Sequence, residues 1–209
     1  MAQSAEHVRA RKRCAWAETA PLLGVYHDRE WGVPLHNDRK LFEFLVLEGV
    51  QAGLNWLIVL KKRDAYRRSF ENFRAERIAR FSGADVRRLL GNSEIIRNRL
   101  KIEATVTNAR QYISVQKEFG SFDNYIWKFV GGKPIKHSFR SLSSIPDKSK
   151  ESDRMSEDLR KRGFKFVGST ICYAFMQATG MVNDHVTSCF RYVEVESASE
   201  SMRRLDEMG

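Results

Sequence analysis

In the stretch VNDHVTSC, His185 and Cys189 stand four residues apart, a spacing that puts both side chains on one face of a helix. Imidazole nitrogen and thiolate sulfur are zinc ligands, but two of them do not close a tetrahedral shell. Cys14 and His27, spaced C-x12-H near the start of the chain, can supply the missing pair. Cys14, His27, His185 and Cys189 would then hold one structural zinc ion and tie the N-terminal segment to the last helix. Because these gaps match none of the short paired patterns of zinc fingers, a second reading stays open, in which the four are unrelated buried cysteines and hydrogen-bonded core histidines. The third cysteine, Cys172, lies in the apolar run TICYAFM and reads as core, while His7, His36 and His137 sit in polar context and read as solvated.

A second constellation surrounds Glu48 in LVLEGVQAGLNWLIV. An unpaired carboxylate among apolar residues is costly to bury, so it either points to water or is kept for a purpose. Trp56 follows eight residues later, and the N-terminal segment brings Trp16, Tyr26 and Trp31. Aromatic faces around one carboxylate suit a flat cation, through cation–π attraction and hydrogen bonds to the carboxylate. The plainer alternative, aromatic core with Glu48 capping or solvated, is equally compatible with the string.

A third string, LRKRGFKFVGSTICYAFM, sets a basic helix end, Gly163 and Gly168, and an apolar helix in sequence. Free N–H groups at the start of the second helix, with Arg160, Lys161, Arg162 and Lys165 nearby, would suit a DNA backbone. An ordinary helix–helix turn with a solvated basic face explains the same residues.

The elements that must position these groups are helical. Leu41 to Lys62 reads as two packed helices around a break at Gly49 and Gly53, with helical texture continuing through Phe81. Asp85 is a candidate cap for the helix holding Val86 and Leu89, and Ser93 for the long one in which Ile96, Leu100, Val106, Ala109 and Ile113 recur. Residues 131–152 read as a long connection, 152–162 as a helix, and 169–179 as a second helix stopped by Gly180. Alternating strand patterns are nearly absent. The expectation is an all-α bundle with a cleft, one or two lobes over residues 13–192, between mobile charged extensions at 1–12 and 193–209.

Composition narrows the partners. The 209 residues carry a net charge of +10, which favours a polyanion, although basic proteins with no such partner are common. No apolar run approaches membrane-spanning length, the first residues do not form a secretory leader, and three dispersed cysteines do not make a disulfide framework. A soluble, intracellular, cytoplasmic protein is expected.

Taken in order, CAW (14–16), YHDREWGVP (26–34), LFEFLVLEGVQAGLNW (41–56), IIRNRLKI (95–102), KRGFKFVGSTICYAFMQATG (161–180) and VNDHV (182–186) resemble the DNA-3-methyladenine glycosylase I family of the helix-hairpin-helix glycosylases. The resemblance runs from about Arg13 to Arg191. It implies zinc on Cys14, His27, His185 and Cys189, and a base pocket of Trp16, Tyr26, Glu48 and Trp56, with Glu48 and Tyr26 as candidate catalytic groups. It further implies DNA contacts from the hairpin at Gly163, Lys165 and Gly168, and from Leu54, which would enter the gap left by an extruded base. Many helix-hairpin-helix relatives carry a catalytic aspartate where this chain has Asn183 and, in the bifunctional ones, a lysine where it has Thr170. The implied activity is therefore hydrolysis of the N-glycosidic bond of 3-methyladenine in double-stranded DNA, with release of the free base and no strand cleavage, by a monomer. Asn55 departs from the family's usual serine. Rival readings are an idle sensor of alkylated DNA using the same pocket, and a zinc hydrolase, which would need an open metal position.

Overall fold

The computed structural model describes residues 11–195, so most of the two expected extensions, and His7, lie outside the described residues. The packed chain reaches further than the sequence suggests. Residues 191–195 are helical with Val195 buried, Arg11 pairs with Glu194, and the Phe190 N–H donates to the Lys12 carbonyl.

Nine α-helices precede the helical segment at 191–195 among the described residues. They are α1 Pro21–Arg29, α2 Asp38–Gln51, α3 Trp56–Ser69, α4 Ala75–Ile78, α5 Gly83–Gly91, α6 Arg99–Phe119, α7 Phe122–Trp127, α8 Lys150–Lys161 and α9 Ser169–Ala178. Two short strands, β1 Ile135–Lys136 and β2 Val182–Asn183, pair in parallel and pin the long connection to the segment after α9. One continuous apolar core runs from Cys14 to Cys189.

Helix α2 is the axis. Asn37 caps it by accepting from the Lys40 N–H at 3.0 Å, and every residue from Leu41 to Val50 is buried. A helix apolar all round can only be satisfied in the interior, and α2 packs against α3, α6, α7 and α9. Two carboxylates go in with it: Glu43, neutralised by Arg63 and Arg67, and Glu48. Gly49 lies inside this helix without breaking it, at a close approach where a Cβ would press on Phe166 at 3.2 Å; the break is at Gly53, whose φ is +75°.

Other boundaries shift for identifiable reasons. Ser82 caps α5, and Asp85 completes a reciprocal capping box from the third position. Asn98, five residues beyond Ser93, caps α6 because Ile95 is buried and the Ile96 N–H is taken by the Tyr66 hydroxyl, which keeps 92–97 out of the helix. The helical texture expected through Phe81 is interrupted after Ser69, where Glu71, Asn72 and Phe73 all take positive φ while Phe70 and Phe73 are buried. Helix α8 begins at Lys150 with Ser149 and Ser152 forming its capping box. Gly180 ends α9 as expected, at φ +68°, in a place where a Cβ would overlap the Val33–Pro34 backbone.

Candidate functional site

The first turn-like segment, Ala15–Glu18, and α1 lie together, so Cys14 and Trp16 enter the same region as Tyr26 and His27. Two sites result, back to back. In the first, Cys14, His27, His185 and Cys189 are all buried, and their ligand atoms lie within 4.8 Å of one another. Sulfur-to-nitrogen separations are 3.7 Å for Cys14–His185, 3.4 Å for Cys189–His27 and 3.6 Å for Cys189–His185. A tetrahedron of ordinary zinc–sulfur and zinc–nitrogen bonds has such edges at about 3.6 Å. The donor set and its spacing therefore fit a closed four-coordinate metal.

The outer shell is arranged to match. His27 Nδ1 is 2.8 Å from Asp28, and His185 Nε2 is 3.2 Å from the Trp31 carbonyl, which leaves His27 Nε2 and His185 Nδ1 for the centre. Arg13 forks onto Asp28 at 2.7 to 3.1 Å, and this bond is the main reason the Asp28 carboxyl is held down at about 2. Between the thiols, hydrogen bonding from Cys14 favours the thiolate on Cys189, while the same contact raises Cys14. Gly32 has φ +77°, and a Cβ on it would meet His185 Nε2 at 2.9 Å, so the loop can approach the ring only as glycine.

The second site is a cavity of about 580 Å³. Trp16, Tyr26, Glu48 and Trp56, the four residues of the expected pocket, all line it, together with Trp31. Ring centroids are 5.5 Å apart for Tyr26–Trp56, 6.3 Å for Trp16–Tyr26 and 5.1 Å for Trp16–Trp31, which gives a continuous aromatic wall. Glu48 is 4% exposed and has no hydrogen bond or ion pair. Burial alone pushes its carboxyl up to about 8. Tyr26 is likewise pushed well above its ordinary value, by burial first and then by Glu48, so it remains a neutral hydroxyl. Trp56 Nε1 is buried with no hydrogen-bond partner. None of Cys14, His27, His185 and Cys189 lines the cavity, so the cluster that could hold a metal stands apart from it.

The basic hairpin forms between α8 and α9, with residues 162–168 connecting them. Gly163 has φ +88°, as its place in the turn requires, but Gly168 caps α9 with an ordinary φ of −63°; Phe166, at φ +54°, takes the second left-handed position. Lys165 is exposed, and Asn108 from α6 fixes its backbone by accepting from its N–H at 2.7 Å and donating to its carbonyl at 2.9 Å. Arg162 is committed elsewhere, to Glu118 and Asp158, and Lys161 pairs with Glu157. Leu54 is 36% exposed in the α2–α3 turn, between Gln51 and Asn55, which both line the cavity.

A family profile described as methyladenine glycosylase matches residues 16–192. The chain belongs to that family. It is similar to the DNA-3-methyladenine glycosylase 1 of Escherichia coli (strain K12), with 48% identity over 181 residues covering 87% of this chain and 97% of the relative. A crystal structure of 3-methyladenine DNA glycosylase I superposes with a TM-score of 0.84 at 51% identity, over 86% of this chain and 98% of the other. A Staphylococcus aureus 3-methyladenine DNA glycosylase I, solved to describe recognition of 3-methyladenine, superposes with a TM-score of 0.83 at 35% identity, over 87% and 96% of the two chains.

For this family member, several groups at the site carry no local signal. Asp184, buried beside His185, accepts from the Tyr173 hydroxyl and Gln177 Nε2, each at 2.7 Å, and lies 2.6 Å from His137 Nδ1. Tyr173 and Gln177 line the cavity, so Asp184 fixes one of its walls. His137 is accordingly half-buried and paired, not solvated as its polar context suggests, and Asp184 raises its pKa. Asn183 does not reach the cavity; its amide donates to the Tyr192 carbonyl and accepts from the His185 N–H. Thr170 does line it, as do Leu142 and Ile145 from the long connection.

Proposed function

We propose that this member of the methyladenine glycosylase family is a DNA repair enzyme that hydrolyses the N-glycosidic bond of 3-methyladenine in alkylated double-stranded DNA, releasing the free base and leaving an abasic site in an uncut strand. The observation that carries the reading is Glu48: a buried carboxyl with no partner, facing a cavity walled by Trp16, Tyr26, Trp31 and Trp56. An empty apolar pocket favours its protonated form, whereas an incoming cation favours the carboxylate. Methylation at N3 makes adenine such a cation. The extruded base stacks on the tryptophan faces, and Glu48 accepts from its exocyclic amine and balances its charge. The neutral Tyr26 hydroxyl orients the base from the other side.

The leaving group is already activated, so no acid is needed. The bond between the base and the sugar breaks with its electron pair passing to the ring, which cancels the positive charge, and water adds to the sugar carbon and loses a proton to solvent. Glu48 and Tyr26 are the groups proposed to act on the base. Neutral adenine forgoes the charge terms and keeps a stronger bond. With Thr170 in place of a hairpin lysine there is no amine at that position for Schiff-base chemistry, hence no strand cleavage. Gly163, Lys165 and Gly168 are assigned to the phosphate backbone, and Leu54 to the gap in the stack. The metal held by Cys14, His27, His185 and Cys189 is assigned as zinc with a purely structural role. The enzyme acts as a cytoplasmic monomer; no helix among the described residues is long and apolar enough to cross a membrane.

The test is to incubate the protein with methylated duplex DNA and separate the released bases, beside Glu48→Ala. Release of 3-methyladenine, with strands cut only after alkali, supports the reading. Tight binding without release would replace it with a sensor of alkylated DNA.

A further inference from the structure

The segment IIRNRLKI contributes nothing to the cavity or the metal-ligating group, yet it holds the one lysine that is driven into the core, Lys101, 8% exposed at the start of α6. Its ammonium donates to the Val50 carbonyl at 2.7 Å and the Ala52 carbonyl at 2.6 Å. These belong to the C-terminal end of α2, where the last carbonyls of a helix have no partners along the chain. A cation there also meets the negative end of the helix dipole. Burial lowers the Lys101 pKa, so the position is held against a desolvation cost.

What Lys101 grips is the turn that carries Leu54. Beyond Ala52 come Gly53, in a left-handed conformation with open space around it, and Leu54, whose N–H donates back to the Gln51 carbonyl. Gln51, Asn55 and Trp56 line the cavity, so this turn forms part of its rim. Three of the exposed large apolar side chains lie nearby in the chain: Leu54 on the turn that Lys101 ties to α6, Ile58 in the first turn of α3 that follows it, and Leu100 beside Lys101 in the first turn of α6. Arg97 is exposed in the same segment. Apolar side chains beside a cationic one match an opened duplex, which offers base faces next to phosphates.

We propose that Lys101 is a positioning residue: by clamping the α2–α3 turn to α6 it fixes Leu54 at the cavity rim in the attitude needed to fill the gap in an opened duplex, so that excision depends on it while recognition of the free base does not. The inference rests on the glycosylase reading above. A lysine that merely capped α2 would act on both steps or on neither, because Glu48 sits on the same helix one turn earlier.

The experiment compares two readouts in Lys101→Met, which keeps the apolar stem and removes the charge and donors. One is single-turnover release of 3-methyladenine from methylated duplex DNA; the other is the affinity for free 3-methyladenine, followed by quenching of tryptophan fluorescence. Excision should fall by about tenfold or more with free-base affinity unchanged, a displacement effect of ordinary size. Leu54→Ala should do the same, and the double variant should be no worse than the more damaged single one. Should Lys101→Met fail to fold, Lys101→Gln gives the same comparison with a shorter neutral donor. Equal losses in both readouts, or undiminished excision, would overturn the assignment. A wild-type protein that releases no base at all would instead discard the reading on which it rests.

Discussion

The cysteine–histidine cluster and the aromatic cavity share one segment, with Cys14 two residues before Trp16 and Tyr26 beside His27, yet their polar groups are treated in opposite ways. Around the metal-ligating residues each ring nitrogen has a partner: His27 has Asp28 and, behind it, Arg13; His185 has the Trp31 carbonyl. In the cavity Trp56 Nε1 is buried without a partner, and Glu48, only slightly exposed, bonds to no protein group. A buried polar group left unsatisfied costs stability, so such a pair persists where a ligand completes it. The ring nitrogens of the cysteine–histidine cluster are thus saturated, while the cavity's Trp56 Nε1 and Glu48 are in deficit.

The largest expected effect tests the saturated side. His185→Ala or Cys14→Ala should abolish stoichiometric metal and lower the melting temperature by more than about 10 °C, read by elemental analysis and calorimetry, since metal binding and folding are one equilibrium in such sites. Retention of full metal in both variants would show that the ligand set is wrong. On the deficit side, Glu48→Gln should lower excision by about 100-fold or more while leaving nonspecific DNA binding intact, as expected when the charged partner of a desolvated cation is lost.

The same substitution should sharpen the contrast through pH. Glu48 titrates at about 8 when folded against 4.5 for an ordinary glutamate, so the folded state binds the extra proton between these values. Wild-type stability should therefore decline as pH rises from about 4.5 to 8, by roughly 3 to 5 kcal/mol, and Glu48→Gln should not show that decline in denaturant titrations. Excision by the wild type should rise over the same upper range as the carboxylate forms. A pH-independent difference between the two proteins would remove the claim that Glu48 is left unpaired.

The smallest effect concerns the second layer of the metal-ligating group. Asp28→Asn should weaken metal affinity by about tenfold, measured by chelator competition, with little change in excision at saturating metal. A matching loss of excision would mean that the two sites are coupled and not merely adjacent.

Much of this was legible because it is local. The helical class, the break at Gly53, the stop at Gly180 and the hairpin between α8 and α9 follow from periodicity and turn chemistry that neighbours in sequence enforce. The grouping of residues was readable too: the two cysteines and two histidines expected together do cluster, and the carboxylate expected among aromatics does line a cavity with them. Where two residues could serve equally, the sequence could not choose: Ser93 and Asn98 are both able to cap, and burial of Ile95 decided between them. Likewise nothing in KHSF reveals that His137 will meet Asp184, because that contact depends on β1 reaching β2 across the chain.

By itself, then, the amino-acid sequence determined the helical class, the helices flanking Gly53 and the basic hairpin, and which residue types stand ready for chemistry, since these depend on residue type and short-range spacing; α1 and α7 were not legible in it. Tertiary structure alone decided that Glu48 is desolvated and unpartnered, that the cysteine–histidine cluster stands apart from the cavity, and that Lys101 meets the end of α2. Those are properties of distance and dielectric between residues remote in sequence, and they exist only once the helices are packed.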